Sequence, residues 1–356
     1  MIMLEKMMKA AFKTPAGDFE IRETPIPKIT QPDYVLAKVK AAGVCGSDMN
    51  FWKVPSQFEG MITGHELAGE VIETGPAVKN VKPGDRVAIE SLVACGHCYW
   101  CDVGQYHLCP ELMKIRWDTL SRAFSEYVAG PADNFFKIPD HVPYDEAAIL
   151  DVYGTSVHAC NRTGVRMGQT VVIVGAGPIG LTLLELVNIA GAKAIITGIY
   201  DHQLEMAKKL GAYKTINTRL ENGLERILDL TGGRGADIVY ECVGGKHATK
   251  TIQECISYAR SGGKVALLGL LEDKLPPFKI DWGKVLLQEI DLVPVMSFAH
   301  WGNDREFKIV LDLLIDGRLH AKELITHRFP LEKINQAFDT VANKRETKAI
   351  KVVLTM

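Results

Sequence analysis

The apolar positions of this chain change period near residue 150. Before that point they fall in short alternating runs broken by Gly and Pro, such as Tyr34 to Lys40 and Gly69 to Thr74, which predict half-buried strands. After it, from about 152 to 297, short β-branched runs take turns with helical patterns. Gln169-Thr170-Val171-Val172-Ile173-Val174 predicts a buried parallel strand, and Ile179 to Ala190, apolar almost all round, predicts a helix sandwiched in a layer. Further strands are predicted near 194–199, 213–217, 237–242 and 264–269, an amphipathic helix over Arg305 to Ile315, and a last strand over Ala349 to Leu354. The expected fold is therefore α/β, with a doubly wound parallel sheet over 152–297 and a mainly β domain over 1–151.

Length and charge narrow the function. The 356 residues suit two domains, and an apolar content of 47% is ample for two cores. With 41 basic against 43 acidic side chains, the net charge of −2 argues against a polyanion-binding surface, so no nucleic-acid role is expected. No 18-residue apolar run occurs, and Met1-Ile2-Met3-Leu4-Glu5-Lys6 lacks an apolar stretch of signal-peptide length. No membrane role is expected, and the cytoplasm is the default location. A reducing compartment suits Cys160, Cys242 and Cys255, which fall in apolar stretches.

The predicted strand ending at Val174 runs straight into Gly175-Ala176-Gly177-Pro178-Ile179-Gly180 and then into the helix. Strand, GxGxxG and helix in that order form a dinucleotide fingerprint. Gly175, Gly177 and Gly180 permit a tight turn and close approach, while Pro178 and Ile179 open the helix on whose N-terminus a pyrophosphate would rest.

Two cysteine patterns imply metal. Cys95, Cys98 and Cys101 are spaced by twos and Cys109 follows, so four thiolates can turn inward on one Zn²⁺ and leave no position open. Disulfide-paired or simply buried cysteines, and an iron–sulfur cluster, are the rivals for this loop. The second pattern is Gly43-Val44-Cys45-Gly46-Ser47-Asp48 followed by Gly64-His65-Glu66. Its thiolate, imidazole and carboxylate offer the mixed donors of a zinc site that keeps a position for a substrate oxygen.

Together with Gly84-Asp85-Arg86-Val87, these boxes make the chain resemble the zinc-dependent medium-chain alcohol dehydrogenases nearly end to end, most closely the sorbitol (polyol) and threonine dehydrogenase branch. The resemblance implies a GroES-like catalytic domain over 1–151, with 298–356 folding back onto it, beside a Rossmann domain over 152–297. It implies a catalytic zinc held by Cys45 and His65, with Glu66 and Asp151 as exchanging further ligands, and a structural zinc held by Cys95, Cys98, Cys101 and Cys109. It also implies a homo-oligomer, a tetramer or a dimer. Asp48 matches the partner of the ligand histidine, and Ser47 matches the hydroxyl that takes the substrate proton. Asn50 stands where most relatives of this branch place a relay histidine.

The substrate that the resemblance implies is a small secondary alcohol: a polyol, sugar alcohol or sugar acid, with L-threonine as the alternative. Ser297 stands where sorbitol dehydrogenases carry a polyol-gripping arginine, whereas Ile280 to Val285 and Asp151 to Gly154 look more like threonine dehydrogenase. Phe51, Trp52, Arg116 and Trp117 fall in segments that border the family's pocket. A reading of another class is a zinc-poor, NADP-binding quinone reductase or a non-enzymatic binding protein, which loss of Cys45 or His65 would mark. For the cofactor, Gly198 replaces the acidic residue that excludes NADP, with Tyr200 and His202 nearby and Asp201 expected to cap the next helix. Both NAD and NADP are expected to serve, with weak discrimination.

Overall fold

A computed structural model describes residues 6–269 and 279–356; the opening Met1 to Glu5 lies outside the described residues. The chain divides into two compact units, one running to Val152 and resuming with Ala299–Met356, the other Tyr153–Phe298.

Among the described residues, the Tyr153–Phe298 unit holds six strands that pair in parallel throughout. In spatial order they are Lys214–Asn217, Lys193–Gly198, Thr170–Val174, Ala236–Glu241, Ala259–Leu267 and Asp291–Pro294. That is the order 3-2-1-4-5-6 of a doubly wound nucleotide fold. Parallel strands bury both faces, and Val171, Val172, Ile173, Ile195, Ile196 and Val239 are fully enclosed. The helix Pro178–Ile189 buries Gly180 through Val187 without a break, so its all-round apolar sequence reflects cover on every side.

In the other unit, a seven-stranded sheet has Tyr34–Gly43 at its centre. That strand pairs antiparallel with Glu66–Thr74, Lys351–Thr355 and Tyr127–Pro131. Its inward side chains, Val35, Ala37 and Val39, join Leu67, Val71, Ile89, Phe124, Val352 and Leu354 in one core. The register opposes Gly43 to Glu66 and to Val353. It thereby brings the Cys45 turn, His65–Glu66 and the C-terminal strand to one end of the sheet.

Three local expectations shift. The helix expected from Arg305 begins at Glu306, because Asp304–Arg305 pairs with His300–Trp301 in a small hairpin. The last strand is Lys351–Thr355, starting two residues later than its apolar run. Asp201 is the first residue of its helix, not the cap. Tyr200 occupies the cap position, and the Asp201 carboxylate instead accepts a hydrogen bond from Asn217 at 2.7 Å.

Candidate metal and dinucleotide sites

The Cys45 turn and the His65–Glu66 strand start are the two ends of one antiparallel pair, so their side chains meet. Donor atoms of Cys45, His65 and Glu66 lie within 4.8 Å of one another. Glu66 is fully buried, and Gly43 makes room for it: a Cβ there would overlap the Glu66 carboxylate. Lys351 Nζ lies 2.5 Å from both carboxylate oxygens but hydrogen-bonds only Oε1, and it also donates to the Val44 carbonyl at 3.0 Å. Glu66 Oε2 accepts no hydrogen bond, which leaves a buried carboxyl oxygen with ligating capacity.

Asp48 braces this group from beneath. One oxygen accepts from the Cys45 amide at 3.0 Å and the other lies 3.6 Å from His65 Nδ1. Burial raises the Asp48 pKa, against the pull of His65. The His65 imidazole is pushed up to about 10: burial opposes its charge, but Cys45, Asp48 and Asp151 outweigh it. Asp151 rises to about 6, chiefly through burial, with Glu66 adding to the rise. The donor set of sulfur, imidazole nitrogen and carboxylate oxygen fits a divalent cation such as zinc.

Asp151 couples electrostatically to His65 and Glu66 but is not among the side chains gathered within 4.8 Å. Ser47 is half-buried and precedes the short helical turn Asp48–Phe51, on which Asn50 also lies half-buried. Of the four pocket candidates, Trp52 belongs to the core, 5.0 Å from the Phe338 ring. Phe51 and Trp117 both pack on Phe58, at 4.7 and 4.8 Å. The Arg116 guanidinium is buried, donating to Ser121 at 2.7 Å and to Ser91 at 3.3 Å.

Two lysines escape sequence reasoning. Lys351 sits in an apolar strand run, a charge where alternation predicts none, and that break is its only signal. Lys13 is buried at 3% exposure, donates to the Gly17 carbonyl at 2.5 Å, and stands over the rings of Phe19 and Trp52. Burial pulls its pKa down to about 8, with Asp48 opposing.

The four-cysteine loop closes on itself. Cys98 caps the helix Tyr99–Asp102, and the turn Tyr106–Leu108 returns Cys109, so all four sulfurs lie within 4.8 Å of one another. Cys95 and Cys101 are 3.9 Å apart and Cys98 and Cys101 3.6 Å, near the edge of about 3.8 Å for a tetrahedron with 2.3 Å zinc–sulfur bonds. All eight cysteines are free thiols, which removes the disulfide reading.

In the other unit each motif glycine answers a different demand. Gly175 has φ +106°, where L side chains are strained. A Cβ at Gly180 would strike the Gly175 carbonyl oxygen, so loop and helix touch there. Gly177 faces open space at the start of Pro178–Ile189, with no side-chain cap on the helix amides. That opening fits a pyrophosphate. Pro178 and Ile179 form the first turn, and Gly198 ends the second strand, its Cβ direction already crowded by Leu204 and Ala176. The Tyr200 and His202 rings lie tilted to each other, with centroids 5.8 Å apart. Sequence reasoning misses Arg219, whose guanidinium lies 5.3 Å from the Tyr200 ring.

Comparison with known proteins agrees with this geometry. Residues 31–140 match the alcohol dehydrogenase GroES-like domain, and residues 178–316 match the zinc-binding dehydrogenase family. A sorbitol dehydrogenase of Bacillus subtilis (strain 168) is 34% identical over 341 residues, 93% of either chain. An L-threonine 3-dehydrogenase of Pyrococcus abyssi is 33% identical, covering 98% of this chain and 99% of its own. A solved structure from Sinorhizobium meliloti 1021, described as a zinc-binding dehydrogenase bound to NADP, superposes with a TM-score of 0.87. It shares 28% identity, covering 99% of this chain and all of its own.

Proposed function

The chain belongs to the zinc-binding alcohol dehydrogenases, and from that premise we propose that it moves hydride between a secondary alcohol of a polyol, sugar alcohol or sugar acid and NAD(P). The observation that carries this reading is the gathering of Cys45, His65 and Glu66, with donor atoms within 4.8 Å of one another, at one end of the β sheet. These three would hold the catalytic zinc, with Asp151 as the exchanging carboxylate, and the four-cysteine loop would hold a second. When bound, the catalytic metal supplies Lewis acidity, which makes an alcohol far easier to ionise.

The chain's own groups prepare that step. Asp48 holds His65 in one orientation through its contact at Nδ1, which leaves Nε2 for ligation. Ser47 would take the substrate proton on its hydroxyl, and Asn50 beyond it cannot titrate, so the proton would leave by another route. Lys351 fixes the Glu66 carboxyl group through its hydrogen bond to Oε1. The triad Phe51, Phe58 and Trp117 offers an apolar wall against carbon.

L-threonine is the second substrate reading, favoured by the Pyrococcus relative. The zinc-poor reading is disfavoured by the complete donor set. The test is turnover on a panel of polyols, sugar acids and L-threonine with both dinucleotides, beside metal analysis. Two zinc ions per chain and oxidation of a panel alcohol are expected. One zinc and no alcohol oxidation would overturn the reading.

Association with further copies of the chain is part of the same reading. Asp291–Pro294 is an edge strand, and Trp282, Leu286 and Leu287 on the preceding helix are exposed. Among the described residues no helix is long and apolar enough to cross a membrane. Cys160, Cys242 and Cys255, outside both donor clusters and without a disulfide, suit a reducing compartment such as the cytoplasm.

A further inference from the structure

Gly198 ends the strand where an acidic side chain would meet a ribose 2′-hydroxyl, and the sequence nearby offers no cation in its place. The fold brings one from elsewhere. Lys214–Asn217 lies beside Lys193–Gly198 in parallel register, with Asn217 opposite Gly198, and the Thr218 amide donates to the Gly198 carbonyl at 3.0 Å. Arg219 therefore emerges just beyond the carboxyl ends of both strands. Ligands of open α/β sheets bind at those ends.

Asn217 performs two tasks at once. Its side-chain oxygen accepts the Arg219 amide at 3.0 Å, which turns the chain, and its side-chain nitrogen donates to Asp201 at 2.7 Å. The Asp201 carboxylate, on the helix that follows Gly198, thereby accepts from a neutral amide. Arg219 lies against the Tyr200 ring, 5.3 Å from its centroid, and it forms no ion pair among the described residues. A guanidinium held over a ring by cation–π attraction spends none of its N–H donors on that contact, and those donors can grip phosphate by two parallel hydrogen bonds. Gly198 itself carries no carboxylate that would repel that phosphate.

We propose that Arg219, lying over the Tyr200 ring just beyond the strand end that pairs with Gly198, recognises the 2′-phosphate of NADP and makes this chain prefer NADP over NAD. The inference rests on the dinucleotide reading of the glycine loop and goes beyond it. Weak discrimination, which the sequence suggests, gives way to a definite preference once Arg219 is counted.

Adenosine 2′,5′-bisphosphate and adenosine 5′-monophosphate differ only in the 2′-phosphate, so calorimetric titration of the full chain with each isolates this contact. Wild type should bind the bisphosphate at least tenfold more tightly, a charge-assisted pair being worth roughly ten- to a hundredfold. In Arg219→Ala that ratio should fall to near one, and Arg219→Lys should retain part of it. The advantage should also shrink with added salt. Arg219 is exposed, so the variant is expected to fold, and binding of the monophosphate reports an intact pocket. A wild-type ratio near one, or an Arg219→Ala ratio equal to wild type, would overturn the assignment. Titrations with NADH and NADPH separate the two levels: binding of NADH without preference sinks only the role of Arg219, whereas binding of neither sinks the dinucleotide reading and this inference with it.

Discussion

Glu66 is held by residues that lie far apart in the chain: Gly43 yields the space its carboxylate occupies, and Lys351, 285 residues away, neutralises it. Removing one partner of a buried ion pair strands the other charge. Lys351→Met should therefore destabilise the metal-free protein by about 3–5 kcal/mol in denaturant unfolding, and Glu66→Gln in the same chain should recover part of the loss. Lys13 sets a pH dependence of the opposite kind. Its folded pKa of about 8 lies below the ordinary 10.5, so between these values the unfolded chain binds more protons and stability rises with pH. Below pH 8 both states are protonated and the penalty is fully present. Unfolding free energies compared between wild type and Lys13→Met should diverge in favour of wild type from pH 8 to 10.5, by at most about 3 kcal/mol. A flat difference across that window would mean that Lys13 is not desolvated.

At the scale of elements, the strand–glycine–helix unit depends on contact between loop and helix. Gly180→Ala places a methyl group against the Gly175 carbonyl, and relief requires the loop to move. We expect a stability loss of about 1–3 kcal/mol and weaker dinucleotide binding in a fluorescence titration. The four-cysteine loop is its own element. Cys98→Ser should lower the thermal midpoint and release about one zinc per chain, while turnover per folded molecule persists, because a closed site contributes to folding. What was legible in the sequence follows the same division. The glycine loop and the cysteine loop are local, so spacing alone finds them, and β-branched runs such as Thr170–Val174 mark the parallel sheet because both faces are buried. Lys351 and Arg219 were not legible. One reaches Glu66 by strand pairing across the chain, the other reaches Tyr200 from the turn after a neighbouring strand, and neither contact leaves a local pattern. Arg305 misled for a related reason: it continues a helical period but is drawn into the hairpin by a buried Glu90, 3.0 Å away.

Across the whole molecule, each of the two compact units carries one half of the chemistry, a metal-donor cluster in one and a glycine loop in the other. The account stands on Cys45, the one thiolate in the open donor set, whose removal leaves the four-cysteine loop and the nucleotide strand order untouched. The most direct measurement is the rate of dinucleotide reduction by Cys45→Ala on whichever panel alcohol the wild type oxidises, with zinc content and dinucleotide affinity measured on the same preparation. The account predicts a folded protein that binds dinucleotide, retains about one zinc, and has lost at least a thousandfold in kcat/KM, roughly 4 kcal/mol of transition-state stabilisation. Turnover within tenfold of wild type would contradict it.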